Sequence, residues 1–174
     1  MKSKILLIAP LALLALSIVA SVRAAPAWYA EFQLVITGFD FVDVVPEGIR
    51  FDVPFVGVAG GPNIKEGTVE GVDHLLIDWE GVAHMNVYLT ITDKDGDKIS
   101  ARETGLSVAG NSPSQRAFEG GEATIIDVPG YPTTGKYIGL VGTEFRSEGF
   151  ISDFSRDPPP PPHGYIHAKW YWKP

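Results

Sequence analysis

The sequence contains no cysteine. That single absence excludes disulfide staples, a cysteine nucleophile, cysteine-ligated zinc and iron–sulfur clusters. Positive charge is scarce as well, with 14 Lys and Arg against 21 Asp and Glu in 174 residues, a formal net charge of −7. A chain of that balance is poorly suited to neutralising phosphates, which argues against nucleic acid as a partner. HExxH, GxSxG, a GKS/T phosphate loop and GxGxxG are all missing, which argues against zinc proteases, common serine hydrolases and nucleotide enzymes. No Asn-x-Ser/Thr sequon occurs, since Asn111-Ser-Pro fails the rule. Nor does any stretch after the first two dozen residues sustain an apolar period near 3.6, so a helical fold has no support.

What is present begins with a leader. Met1-Lys-Ser-Lys4 is basic, Ile5 to Ala20 is apolar, and Val22-Arg23-Ala24 sets small residues at a cleavage point after Ala24. Residues 1–24 read as a signal peptide, and the competing reading is an uncleaved anchor, because the 18 residues from Ile5 to Val22 reach the lower limit for spanning a bilayer. Either reading places the rest outside the cytoplasm, and a membrane is a partner only if the leader is retained. Cleavage removes Lys2, Lys4 and Arg23 and leaves 11 basic against 21 acidic residues, a net charge of −10. The remaining 25–174 have the size of one domain, and 45% hydrophobic with 20% charged residues is enough to bury a core.

Short alternating runs, broken by Gly, Pro and Asp at intervals of about ten residues, mark this domain as all-β. Strands are expected near 30–37, 49–58, 67–79, 82–92, 98–107, 122–128, 136–146, 148–154 and 164–172. With 19 Gly and 14 Pro for turns, the pattern suits a single antiparallel barrel of about eight strands, with a β-sandwich as the alternative. The clearest hairpin turns are Trp79-Glu80-Gly81 and Asp93-Lys-Asp-Gly-Asp97. Between them Ala83, Met85, Val87, Leu89 and Ile91 share one face of a strand, and His84, Asn86, Tyr88, Thr90 and Thr92 share the other. The C-terminal run splits likewise, Ile166, Ala168, Trp170 and Trp172 against Tyr165, His167, Lys169 and Tyr171. Asp157 precedes a five-proline run, Pro158 to Pro162, expected to be a stiff loop that carries the last strand back across the domain.

Two segments carry a family resemblance. The first is Asp78 to Asp97 running on to Thr104-Gly105, a strand, aspartate–glycine turn and strand ending in glycine. The second is Thr134-Gly-Lys-Tyr-Ile-Gly-Leu-Val-Gly-Thr-Glu-Phe145, a glycine-punctuated hairpin in which Gly142-Thr-Glu stands where a further glycine is usual. Together they resemble the small calycin-like barrels of the allene oxide cyclase and dirigent type and the uncharacterised DUF3237 group. The resemblance implies an up-and-down barrel with an interior for one small ligand. No catalytic residue of those families matches a position in this chain, so no activity is carried over.

Candidate chemistry is sparse. His84, Asn86, Tyr88, Arg102, Tyr165, His167 and Tyr171 form a candidate pocket if they project into the barrel, a polar and aromatic mix suited to a ligand with an apolar body and a few oxygens. The plainer alternative puts that polar face outside and fills the barrel with the Ala83–Ile91 face. A carboxylate buried in the interior, such as Glu103 or Asp78, would have a raised pKa and could act as general acid or base in a cyclisation or isomerisation. Arg102 and Glu103 are adjacent and cannot both face inward without a bulge. Asp93, Asp95 and Asp97 alternate as in a calcium loop, but Lys98 stands where an EF-hand needs glycine and Thr104 where it needs glutamate, so a turn is expected. His74, His84, His163 and His167 show no ligand spacing, and Gly57 to Gly61 lacks the lysine of a phosphate loop, so no metal and no cofactor are assigned. Two functions stay open, a barrel binding a small apolar ligand with or without weak cyclase or isomerase chemistry, and an adhesive surface protein assembling through its C-terminal strand. Enzyme and binding module are both compatible with these residues, and the oligomeric state is not legible. The ligand reading calls for an interior cavity of at least a few hundred Å³.

Overall fold

A computed structural model describes residues 28–110, 112, 114–153 and 163–173. The leader and the proline run at 158–162 lie outside the described residues. Nine strands are described: β1 (Trp28–Ile36), β2 (Asp40–Val45), β3 (Gly48–Gly60), β4 (Gly67–Asp78), β5 (Ala83–Thr92), β6 (Lys98–Ala109), β7 (Arg116–Ile126), β8 (Glu144–Ser152) and β9 (Tyr165–Trp172). A 3-10 helix, Gly135–Leu140, stands between β7 and β8. From β3 to β9 each strand pairs antiparallel with the next, β9 comes round to β1, and β1 pairs with β3. Eight strands thus close an antiparallel barrel, and β2 is an extra strand on the first half of β3. Closure excludes the sandwich alternative.

The seam between β1 and β3 needs a small residue. A Cβ on Gly57 would stand 2.2 Å from the Gln33 carbonyl oxygen of β1, so only glycine lets the two backbones meet there. Inside the barrel the alternation of β5 works as its sequence suggests, with Ala83, Met85, Val87, Leu89 and Ile91 all buried. Trp170 of β9 is fully buried, with Phe32 at 4.7 Å and Phe145 stacked at 5.5 Å between ring centroids. Such aromatic pairs are worth about 1 kcal/mol beyond the area they bury. Buried Ile64 and Tyr137 pack into the core from the connections at the end of the barrel where β3, β5 and β7 finish.

Two expected strands are corrected. The run expected at 136–146 is a strand only from Glu144 on: Gly135 takes φ +59° and Gly142 φ +86°, and the backbone between them coils into the 3-10 helix Gly135–Leu140. The coil turns the Tyr137 hydroxyl to donate to Asp93 Oδ2 at 2.9 Å. The run expected at 148–154 falls in β8 as far as Ser152, and β8 starts at Glu144; residue 154 lies outside the described residues. β2 has no counterpart among the expected strands, and its Phe41, Val42 and Val44 are exposed.

Candidate functional site

The seven residues of the candidate pocket do not meet in the barrel. His84, Asn86, Tyr88 and Arg102 lie on the outer face of β5 and β6, where Arg102 Nε donates to Asn86 Oδ1 at 2.8 Å and its guanidinium lies 5.9 Å from the Tyr88 ring. Tyr165, His167 and Tyr171 lie on the outer face of β9, across the barrel, with His167 stacked on Phe150 and Arg146 over Tyr171. The interior placement therefore fails. The physical reason is parity, because the apolar residues that alternate with these seven fill the core and leave the polar face to solvent.

The interior has its own polar residues. On β4, Val69, Gly71, Asp73, Leu75 and Ile77 share the inward parity, and on β6 Ile99, Ala101, Glu103, Gly105 and Ser107 do. Register sets Asp73 opposite Val87 and Val87 opposite Glu103, so both carboxyls belong to one ring of the wall. Glu103 is 5% exposed, and it accepts from Ser147 Oγ at 2.7 Å on one oxygen and from Trp170 Nε1 at 3.1 Å on the other. Burial pushes its pKa up, and the two donors oppose the shift. Asp73 accepts the Asn86 amide at 2.8 Å on Oδ1, and among the described residues nothing donates to its Oδ2. Burial raises its pKa to about 7, countered by that amide and reinforced by the charge of Glu103.

These carboxyls line a cavity of about 70 Å³, walled by Phe32, Leu34, Phe55, Leu75, Met85 and Trp170. It extends towards the barrel end where β1, β4, β6 and β8 finish, and there Ser107, Arg116 and Phe118 line it. Arg116 Nε donates to Ser107 Oγ at 3.3 Å and its Nη2 to the Ser107 carbonyl. The volume is below the few hundred Å³ expected for a ligand barrel and below the roughly 300–1,000 Å³ of drug-sized pockets. The cavity expected from sequence for a ligand barrel is therefore not met, and the space present suits only a molecule of a few non-hydrogen atoms.

Of the two carboxylates named from sequence, Glu103 is buried and Asp78 is not. Asp78 caps its turn, accepting from His84 Nε2 at 2.9 Å and from the amides of Val82 and Glu80. The contact with His84 leads in holding its pKa down. The aspartates of the calcium-like loop hold a different cation. Asp93 is 6% exposed and takes the amides of Asp95 and Asp97, the Tyr137 hydroxyl and the Lys136 ammonium, which also lies 3.1 Å from Asp95. Lys136 thus stands where a metal would, and it leads in lowering Asp93 to about 2. His74 lies on the outer face with Nδ1 2.7 Å from Asp52 Oδ1, and the His163 amide donates to the Ile36 carbonyl. Among the described residues no three His, Asp or Glu are grouped to hold a metal ion.

Sequence reasoning names Glu103 and misses Asp73. The available signal is a charged residue on an otherwise apolar parity, Val69-x-Gly71-x-Asp73-x-Leu75-x-Ile77.

No protein-family model matches the chain, and no curated protein does. Solved structures do. A protein of unknown function from Clostridium acetobutylicum ATCC 824 is similar with a TM-score of 0.60 at 17% identity, over 83% of this chain and 96% of that one. A β-barrel-like protein from Acinetobacter baumannii AYE is similar at 0.58 and 13% identity, over 88% and 100%. A conserved protein of unknown function from Rhodopseudomonas palustris follows at 0.54 and 14%, over 83% and 95%. At these identities the likeness is one of fold.

Proposed function

We propose that this is an exported small-molecule-binding barrel whose interior takes a compact ligand with an apolar body and one polar group. The observation behind it is a cavity with apolar walls that holds two carboxyls, Asp73 and Glu103, on its inner surface. Burying an ionisable group costs several kcal/mol unless a partner compensates, and apolar residues at those positions would make a more stable barrel. A ligand that satisfies the carboxyls gives a reason for keeping them. Export belongs to this reading through the basic and apolar leader. So does kinship with the allene oxide cyclase, dirigent-type and DUF3237 barrels, through the two glycine-punctuated segments. If cyclase or isomerase chemistry accompanies binding, Glu103 and Asp73 are the groups placed to move a proton. The alternative of assembly through the C-terminal strand is disfavoured by β9 itself, which is paired on both sides, with β1 and with β8.

The test is saturation-transfer NMR on the full chain with compact alcohols, ketones and amines, repeated on Ala83→Phe, which fills the cavity from a buried wall position. Transfer to at least one probe, lost in Ala83→Phe, is the expected result. No transfer to any probe, or transfer unchanged in the filled variant, overturns the proposal.

A further inference from the structure

The chemistry of the cavity wall narrows the ligand further, on the footing of the reading above. Among the described residues its inner surface carries the two acids and one base, Arg116, which donates to Ser107 near the end of the cavity. The charged groups that act on Asp73 are Glu103 from β6 and Asp52 from β3, which disfavour its ionised form, and His74 beside it on β4, which favours it. Around the acids the wall is aromatic, with Phe32, Phe55 and Trp170, whose ring faces attract a cation. The whole chain carries a net charge of −7, which draws cations toward it over a Debye length. Among the described residues, none of the contacts that Asp73 and Glu103 accept comes from a cation.

We infer that the barrel binds a compact aliphatic amine as its ammonium ion, with the charged nitrogen on the carboxylate of Asp73, the Glu103 carboxyl on the same ring of the wall, and the alkyl part among the apolar side chains. An ammonium brings three donors. Asp73 Oδ2, with no donor among the described residues, is the acceptor placed to receive one. The amine fixes the sign of the pH dependence. Binding needs Asp73 ionised, and its pKa lies at about 7. Affinity therefore rises as pH rises toward 7 and levels off above it, until the amine itself deprotonates. A neutral or anionic ligand gives no such rise, since a protonated carboxyl suits it better.

The experiment compares isopropylamine with 2-propanol, matched at four non-hydrogen atoms, by ligand-observed NMR titration of the full chain between pH 5 and 8. The expected result is an amine affinity that climbs about tenfold per pH unit below pH 7 and an alcohol affinity that does not rise. Asp73→Asn should weaken the amine at least tenfold more than the alcohol at pH 8, and Ala83→Phe should abolish both. If amine and alcohol bind alike with no pH dependence, the amine assignment is overturned and the ligand-binding reading stands. Amine affinity that falls with pH, or that survives Asp73→Asn, overturns the assignment too. If neither probe binds, the amine assignment falls together with the reading beneath it.

Discussion

Asp73→Asn is the most informative single substitution, because its effect on stability has a sign set by pH. An aspartate whose folded pKa is raised from 3.8 to about 7 holds its proton in the folded state across a range where the unfolded chain has lost it. The folded state then binds more protons than the unfolded one, so stability falls as pH rises from about 4 through 7. Working the two pKa values through the linkage relation gives a loss of about 3 kcal/mol between pH 5 and pH 9 from this residue alone. The asparagine of the variant does not titrate, and its side-chain oxygen still accepts the Asn86 amide, so the variant should lack this part of the slope. With a urea m-value of roughly 2 kcal/mol/M for a domain of this size, that is a shift of about 1.5 M in midpoint. The assay is urea unfolding of both proteins at pH 5, 7 and 9, followed by tryptophan fluorescence. The variant should be the more stable one at pH 9, with an advantage that shrinks toward pH 5. Parallel pH profiles, with the difference between the two proteins constant to within about 0.5 kcal/mol, would show that Asp73 does not sit in a low-dielectric interior, and the raised pKa would fall with that placement.

Two further predictions concern other contacts. Ser147→Ala removes the donor to one oxygen of buried Glu103 and should destabilise by about 1–3 kcal/mol, measured by urea unfolding at pH 7, with Glu103→Gln on the same background recovering part of the loss. Lys136→Met removes the leading cause of the depressed Asp93 pKa. A depressed carboxylate lends stability that is present above its unfolded pKa and lost as pH falls through the folded one, so the wild type should lose this contribution between about pH 4 and 2 and the variant at higher pH. Acid titration followed by circular dichroism reads the difference, and coincident acid transitions would count against the Lys136 contact.

Much of this architecture is legible in the sequence, and the reasons differ by element. The strand from Ala83 to Thr92 has strict alternation and a hairpin signal on each side, so both its existence and its two faces can be read. β2 escapes because Asp-Phe-Val-Asp-Val-Val has no clean alternation and its apolar residues are exposed in the fold, so no burial pattern marks it. The 3-10 helix escapes because Lys136 to Leu140 is written with residues a strand also accepts, and a tertiary contact, Tyr137 on Asp93, decides the matter. The site is misplaced for a related reason. A cluster of His, Tyr and Arg draws attention as a pocket, whereas parity puts it outside, and the residues that do line the interior are two carboxylates set singly among apolar neighbours. Sequence shows which residues share a face, and only closure of the barrel shows which face is inside.

Closure also has an order in time. The strand that completes the ring is the last of the described strands, and it carries Trp170, the indole that donates to Glu103. Before β9 docks, β4 and β6 can pair with β5 as an open sheet in which water reaches both acids and they ionise at ordinary pH. When β9 docks against β1 and β8, that water is displaced, and burial then shifts both acids toward their protonated forms. Completing the barrel therefore favours proton uptake, and it joins distant parts of the sequence, β1 and β9, a non-local closure of the kind that folds slowly. Alkaline conditions oppose it directly, and a cation able to enter before the last strand seats would favour it.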